Sequence, residues 1–183
     1  MIVGIDEVGR GCWAGPLVAA AVLLNSPVRG LKDSKLLTRS QREKLSQDIR
    51  TNAEVGLGWV SSRQIDDLGL TAAINLAMHQ ALVAIKADYE EVIIDGNHNF
   101  LADMPKTRAV IKADLTISSV SAASIVAKVA RDQFMSEQAL KFPKYGFEKH
   151  VGYGTKFHIE MLKTHGVCEL HRMSYKPIRA LVS

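Results

Sequence analysis

Three short apolar runs in this chain each end on an aspartate: Ile-Val-Gly-Ile-Asp6, Val-Ile-Ile-Asp95 and Val-Ile-Lys-Ala-Asp114. Runs of this length, rich in β-branched residues, read as buried strands. A carboxylate at the end of such a strand needs a cation, a cluster of donors or water, because burying it unpaired is expensive. A single one is readily met by loop amides. Three of them, with Glu7 beside the first and few Lys or Arg next to them in sequence, point to strands that end at one edge. A hard divalent cation with oxygen ligands is the cheapest way to neutralise such a set.

The rest of the chain reads as strands and helices around that edge. Strands are expected at residues 1–6, 17–24 (LVAAAVLL, apolar on both faces), 54–60 (EVGLGWV, weakened by Gly56 and Gly58), 91–95 and 109–112. A polar helix is expected over 40–52, with Ser40 as N-cap and Glu43 three residues on. A second, over 71–86, starts at Thr71 and repeats Ile74, Met78, Leu82 and Ile85 on one face. A third, over 118–140, carries Ala122, Ala123, Ala127 and Ala130, small enough to lie close to a sheet. A fourth spans 155–165 and stops at Gly166. Strands cluster early and strand–helix units follow, which predicts an α/β layer fold in a single domain over 1–183.

With 47% hydrophobic and 23% charged residues the chain has enough apolar material for a core. No apolar run approaches the roughly 20 residues that span a bilayer, and the start lacks the pattern of a secretory signal. Cys12 and Cys168 do not have the clustered spacing of a zinc site, so a cytoplasmic protein with free thiols is expected. Charge is uneven. Residues 141–183 hold eight Lys/Arg against three Asp/Glu, and the preceding part holds 15 against 16. A basic end on a near-neutral body suits a polyanion such as nucleic acid; a solvated basic surface accounts for the same charges.

A carboxylate cluster at a sheet edge suits phosphoryl chemistry, in which two ions about 3.5–4 Å apart hold the attacking and leaving oxygens. Adjacent strand residues point to opposite faces, so Glu7 is expected to join Asp6 only where the strand ends or bulges, near Gly9. Gly9 and Gly11 have no Cβ and let backbone amides approach a ligand, with Arg10 between them as a phosphate or structural contact. His150, His158, His165 and His171 lack the i, i+4 pairing of a helical metal site and read as structural. Trp13 and Trp59 read as packing residues. No serine elbow, P-loop or dinucleotide fingerprint is present.

Taken together, GIDEVGRG (4–11), AGPLVAAAV (14–22), KDSKLL (32–37), IDGN (94–97), KAD (112–114), SAASIVAKVARD (121–132), FPKYGFEKHVGYGT (142–155) and HRMSY (171–175) resemble prokaryotic ribonuclease HII, the type 2 ribonuclease H. The resemblance implies a ribonuclease H-like fold, a central mixed five-stranded sheet flanked by helices, with a helical, basic C-terminal part over about 141–183. It also implies an endoribonuclease that cleaves RNA in RNA–DNA hybrids and incises 5′ of ribonucleotides embedded in duplex DNA, leaving 3′-hydroxyl and 5′-phosphate ends. Asp6, Glu7, Asp95 and Asp114 match the catalytic carboxylates, which hold Mn²⁺ or Mg²⁺, two per site with substrate. Gly9, Arg10 and Gly11 match the turn that reads the ribose 2′-hydroxyl, and Tyr153 a tyrosine that contacts that hydroxyl and packs on the neighbouring sugar. Lys35 matches a contact to a substrate phosphate, with Ser34 and Ser124 as further candidates. A monomer without membrane attachment is expected.

Cys12 departs from the resemblance, standing where a proline is common, and Asn97-His98-Asn99 fits no pattern. Asp132 competes with Asp114 as the last carboxylate, but its place four residues after Lys128 favours an ion pair. Two other readings use the same residues: a nuclease of this fold that acts on DNA junctions, and a non-catalytic nucleic-acid-binding module.

Overall fold

The computed structural model describes residues 1–31 and 34–182. Five strands form one sheet: β1 (Ile2–Val8), β2 (Leu17–Leu24), β3 (Ala53–Val60), β4 (Glu91–Asp95) and β5 (Thr107–Val110), in the order β3-β2-β1-β4-β5. The first three make an antiparallel meander, and β4 and β5 add to β1 in parallel. This is the mixed five-stranded sheet expected from the sequence. The helices are α1 (Arg39–Asn52), α2 (Ser62–Leu68), α3 (Leu70–Val83), α4 (Ala113–Thr116), α5 (Ser118–Lys141), α6 (Phe147–His150), α7 (Lys156–His165) and α8 (Lys176–Val182). None of them is long and apolar enough to cross a membrane, among the described residues.

The period-2 alternation of β2 sorts the core into two layers. Leu17, Ala19, Ala21 and Leu23 face α3, against Ile74, Ala77, Met78 and Ala81. Ala20 and Val22 face α5, against Ala122, Ala123, Val126 and Ala127, with Ile49 of α1 closing that side. Burial on both faces explains why LVAAAVLL carries no polar residue; each fully buried Val, Leu or Ile contributes about 1.5–3 kcal/mol. Gly56 and Gly58, which weaken β3 on propensity, let α3 settle onto it. A Cβ at either would lie 2.0 Å from the Ala81 carbonyl oxygen or 1.8 Å from that of Ala77. A third cluster, with Tyr145, Phe147, Leu162 and Ile178, packs the C-terminal helices against Met135 of α5.

Several boundaries differ from the sequence reading. The cap of helix α1 lies two residues earlier, at Thr38 with Gln41 as its reciprocal partner rather than at Ser40 with Glu43. Helix α3 follows Gly69, not Thr71, because α2 ends there and the chain turns directly into the next helix. The fifth strand covers Thr107–Val110, not 109–112. Helices α2, α6 and α8 were not anticipated: each is seven residues or fewer and buries at most two side chains, too few for a period to show.

Candidate active site

Strand register builds the site. In the parallel pair β1/β4, Ile5 stands opposite Ile94, so Asp6 and Asp95 follow as the next residues on neighbouring strands at the same sheet edge. Asp6 pairs with Ala20 on the α5 side of the sheet, and Glu7 with Ala19 on the α3 side. The strand continues through Val8 in regular register, so the expected break or bulge at Glu7 is absent. Both carboxylates nonetheless line one cleft of about 520 Å³. Asp95, Asp114, Gly9, Arg10, Gly11 and Tyr153 line the same cleft.

Asp114 does not end a strand. β5 stops at Val110, the backbone passes through a left-handed Lys112 (φ 57°), and Asp114 enters the first turn of α4. Its amide donates to Asp95 Oδ1 at 3.4 Å, a long contact that places the turn beside β4. Asp132, the competing carboxylate, accepts from Lys128 at 2.9 Å and lies 4.0 Å from Arg42. That ion pair is the arrangement its spacing predicts.

The carboxylates strain against one another. Burial first, then Glu7 and Asp95, pushes the Asp6 carboxyl well above its ordinary 3.8, against the Ser124 hydroxyl and the Glu7 amide that hydrogen-bond it. That amide donates to Asp6 Oδ1 at 2.8 Å. Burial also raises Glu7, with Asp95 adding to it, while Arg10 at 3.1 Å opposes the shift. Among the described residues no three His, Cys, Asp or Glu side chains are gathered as a ready-made metal shell; Glu7 is turned to Arg10 instead. An all-oxygen donor set whose members destabilise each other's charge fits a hard divalent cation, which removes that repulsion on binding.

The glycine turn divides its labour. Gly9 has φ +97°, and a Cβ there would lie 2.5 Å from Arg131 Nε and 2.8 Å from the Pro16 carbonyl oxygen. It is required by the packing behind the turn. Gly11 meets nothing within 4 Å on its Cβ side, so that side is open to a ligand. Arg10 pairs with Glu7 and lies over the Phe100 ring at 5.8 Å, and His98 meets the same ring edge-on at 4.6 Å. Asn99 ties its loop to β5 through Thr107. The Asn97–Asn99 stretch thus includes part of the support for Arg10.

Tyr153 stands at the rim, 41% exposed. Its phenol is raised mainly by burial, with Cys12, the residue at the unusual position, adding to the shift. Behind it lie three histidines. His158 Nδ1 donates to the Tyr153 carbonyl (2.9 Å), which leaves its Nε2 to accept from His171 Nε2 (3.0 Å). His171 Nδ1 in turn accepts from the Cys168 amide (2.9 Å). His150 Nε2 donates to the Tyr145 carbonyl and Nδ1 accepts from Gly152. All three are satisfied as neutral rings, and burial lowers His158 and His171 to about 4. His165 is exposed.

Lys35 lies in a single 3₁₀ turn (Ser34–Leu36), but its side chain falls outside the described residues. Ser34 and Ser124 share a hydrogen bond of 3.1 Å at the cleft wall. Arg42 and Lys128 also line the cleft; Arg42 has no mark in the sequence, because α1 reads as a polar helix with several such cations. Trp13 packs in the C-terminal cluster and Trp59 against Phe134 at 5.7 Å, both as packing residues. A second cleft of about 620 Å³ lies between α1 and α5 beside Trp59, with only Glu43 and Glu137 as acids. The four carboxylates converge on the first cleft, not on this one.

Known proteins carry the same pattern. A family model described as Ribonuclease HII matches residues 3–178. A Ribonuclease HII of Bacillus anthracis is 45% identical over 99% of this chain and 71% of its own length. The crystal structure of the ribonuclease H2 from Pyrococcus horikoshii superposes with a TM-score of 0.84 at 26% identity, covering 98% of this chain and 96% of that one. Bst-RNase HIII, solved in complex with Mn²⁺, shares the fold at a TM-score of 0.75 and 20% identity, over 99% of this chain and 68% of its own.

Proposed function

Because this chain belongs to the ribonuclease HII family and is a divalent-metal-dependent ribonuclease H, we propose that it cleaves RNA–DNA hybrids and incises 5′ of single ribonucleotides in duplex DNA, using Asp6, Glu7, Asp95 and Asp114. One observation carries this reading: four carboxylates from three separate parts of the chain line the same cleft as the Gly9–Gly11 turn and Tyr153. A nuclease for all-DNA junctions requires the acids but not the two ribose-reading elements, and a binding module requires neither.

Asp6 and Asp95 anchor Mg²⁺ or Mn²⁺ from adjacent strand ends, and Glu7 and Asp114 complete the donor set from either side. When bound, such ions supply the charge that activates water and stabilises the leaving 3′-oxygen. The open side of Gly11 presents backbone to the ribose 2′-hydroxyl, the group that tells RNA from DNA. Tyr153 supports the neighbouring sugar, so the phosphodiester 5′ of the ribose is the one presented to the acids. Arg42 and Lys128 line the cleft where phosphates enter, Lys35 contacts a substrate phosphate, and the basic C-terminal part follows the duplex backbone.

The decisive measurement is a Mg²⁺/Mn²⁺ titration of cleavage on a duplex with one ribonucleotide, with product ends mapped and an all-DNA duplex alongside. Cuts 5′ of the ribonucleotide with 3′-hydroxyl ends are expected, none on DNA, and none with Asp6→Asn although that variant still binds hybrid. Undiminished turnover by Asp6→Asn removes the carboxylate assignment.

A further inference from the structure

Arg131 of α5 is a cation buried to 0% exposure, and no part of the chemistry above uses it. Its donors all go to backbone carbonyls: Nε to Pro16 (2.8 Å), Nη1 to Val151 (2.8 Å) and Nη2 to Ala14 (3.0 Å). Two of these carbonyls close the loop that begins at the Gly9–Gly11 turn. The third stands two residues before Tyr153. The two loops also touch each other, with the amides of Trp13 and Ala14 donating to the Gly152 carbonyl at 2.8 and 3.3 Å. No slack is left at the junction: a Cβ on Gly9 would lie 2.5 Å from Arg131 Nε, and one on Gly152 would lie 2.2 Å from the Ala14 carbonyl oxygen. A second buried guanidinium, Arg172, grips Gly15 and Arg10 from the far side.

A charged donor makes shorter and stronger hydrogen bonds than a neutral one, and buried it has no water to turn to. The planar fork of a guanidinium fixes the directions of its acceptors as well as their distances; a lysine ammonium does not. We propose that Arg131 is a positioning residue for ribonucleotide recognition, setting the Gly9–Gly11 turn against the Tyr153 loop so that both meet the same ribose. This rests on the assignment of those two loops to the ribose. On a continuous hybrid every nucleotide offers a 2′-hydroxyl, so a slightly misplaced reader still finds a productive register. A lone ribonucleotide allows one register only, and it is there that misplacement is felt.

The test compares Arg131→Lys, Tyr153→Ala and the double variant for kcat and KM on a duplex with one ribonucleotide and on an RNA–DNA hybrid of equal length. Arg131→Lys is expected to lower kcat/KM on the single ribonucleotide about tenfold more than on the hybrid, as for a small displacement of a binding group. The double variant is expected to discriminate no worse than Tyr153→Ala alone, because the two act through one element. Equal losses on both substrates, or independent losses in the double variant, overturn the positioning role. Unchanged discrimination in Tyr153→Ala strikes instead at the ribose-reading assignment. If Arg131→Lys does not fold, hydrogen exchange of the unaltered protein decides: the Trp13 amide should exchange as slowly as amides in β1 and β2, and rapid local opening there contradicts a locked junction.

Discussion

Asp6 shows how a single residue trades stability for chemistry. Its folded-state carboxyl binds a proton more tightly than the ordinary 3.8 of an unfolded aspartate, chiefly through burial and the neighbouring Glu7. Its contribution to stability is therefore fully present below about pH 4 and is lost as pH rises through the raised value. At neutral pH without metal, keeping this carboxyl in the fold is a net cost. Asp6→Asn should accordingly raise the melting temperature of metal-free protein at pH 7.5 and flatten its pH dependence, since the Ser124 and Glu7 donors still find an amide oxygen. A thermal melt in chelator checks this; a lower melting temperature than the unaltered chain contradicts the assigned burial. Arg10 works in the opposite sense, favouring the charged form of Glu7 without outweighing its burial. The neutral pairing of the histidines behind Tyr153 likewise depends on which ring nitrogen each backbone group faces, a matter no sequence spacing reveals.

Elements that bury a long apolar face were legible in advance, and short ones were not. β2, α3 and α5 each repeat apolar residues over two or more turns or along a whole strand, so these elements follow from pattern, whereas the five-stranded sheet was implied by the resemblance. Helix α2 buries only Ser62 and Ile65, and its one sequence mark is the Ser61/Gln64 capping box. The acids were found because each follows or nears an apolar run, but Asp114 reaches the cleft through a left-handed turn and a one-turn helix rather than a strand end. Arg131 and Arg172 left no signal, because most of their partners are backbone carbonyls more than a hundred residues away. Propensity also misjudged β3, where glycine marks a helix lying on the strand. Gly58→Val should therefore destabilise the fold by about 1–3 kcal/mol, as overpacking does, although valine is the better strand former. Urea unfolding measures this; a stabilised variant means that α3 can move away at no cost.

At the scale of the molecule, two titrating regions act in opposite directions. The histidines of the C-terminal part favour the fold above the ordinary 6.5 of an unfolded imidazole, and that contribution fades as pH falls toward about 4, where His158 and His171 take up protons. The acidic cleft penalises the metal-free fold as pH rises. Melting temperature should thus fall on both sides of an optimum, and adding Mg²⁺ or Mn²⁺ should lift only the alkaline side. A pH series of melts with and without the ion checks this, and an equal shift at pH 5 and pH 8 speaks against the acids as the ion's site. The sheet order has one further outcome. β1 reaches its parallel neighbour β4 only after some eighty intervening residues have been made, and α4 and the Tyr153 loop come later still. A nascent or truncated chain that stops before them already holds a stable-looking meander of three strands but no complete cutting centre. On the proposed assignment the fourth carboxylate arrives only with α4, and Tyr153 later still, so a chain that ends at the meander lacks both.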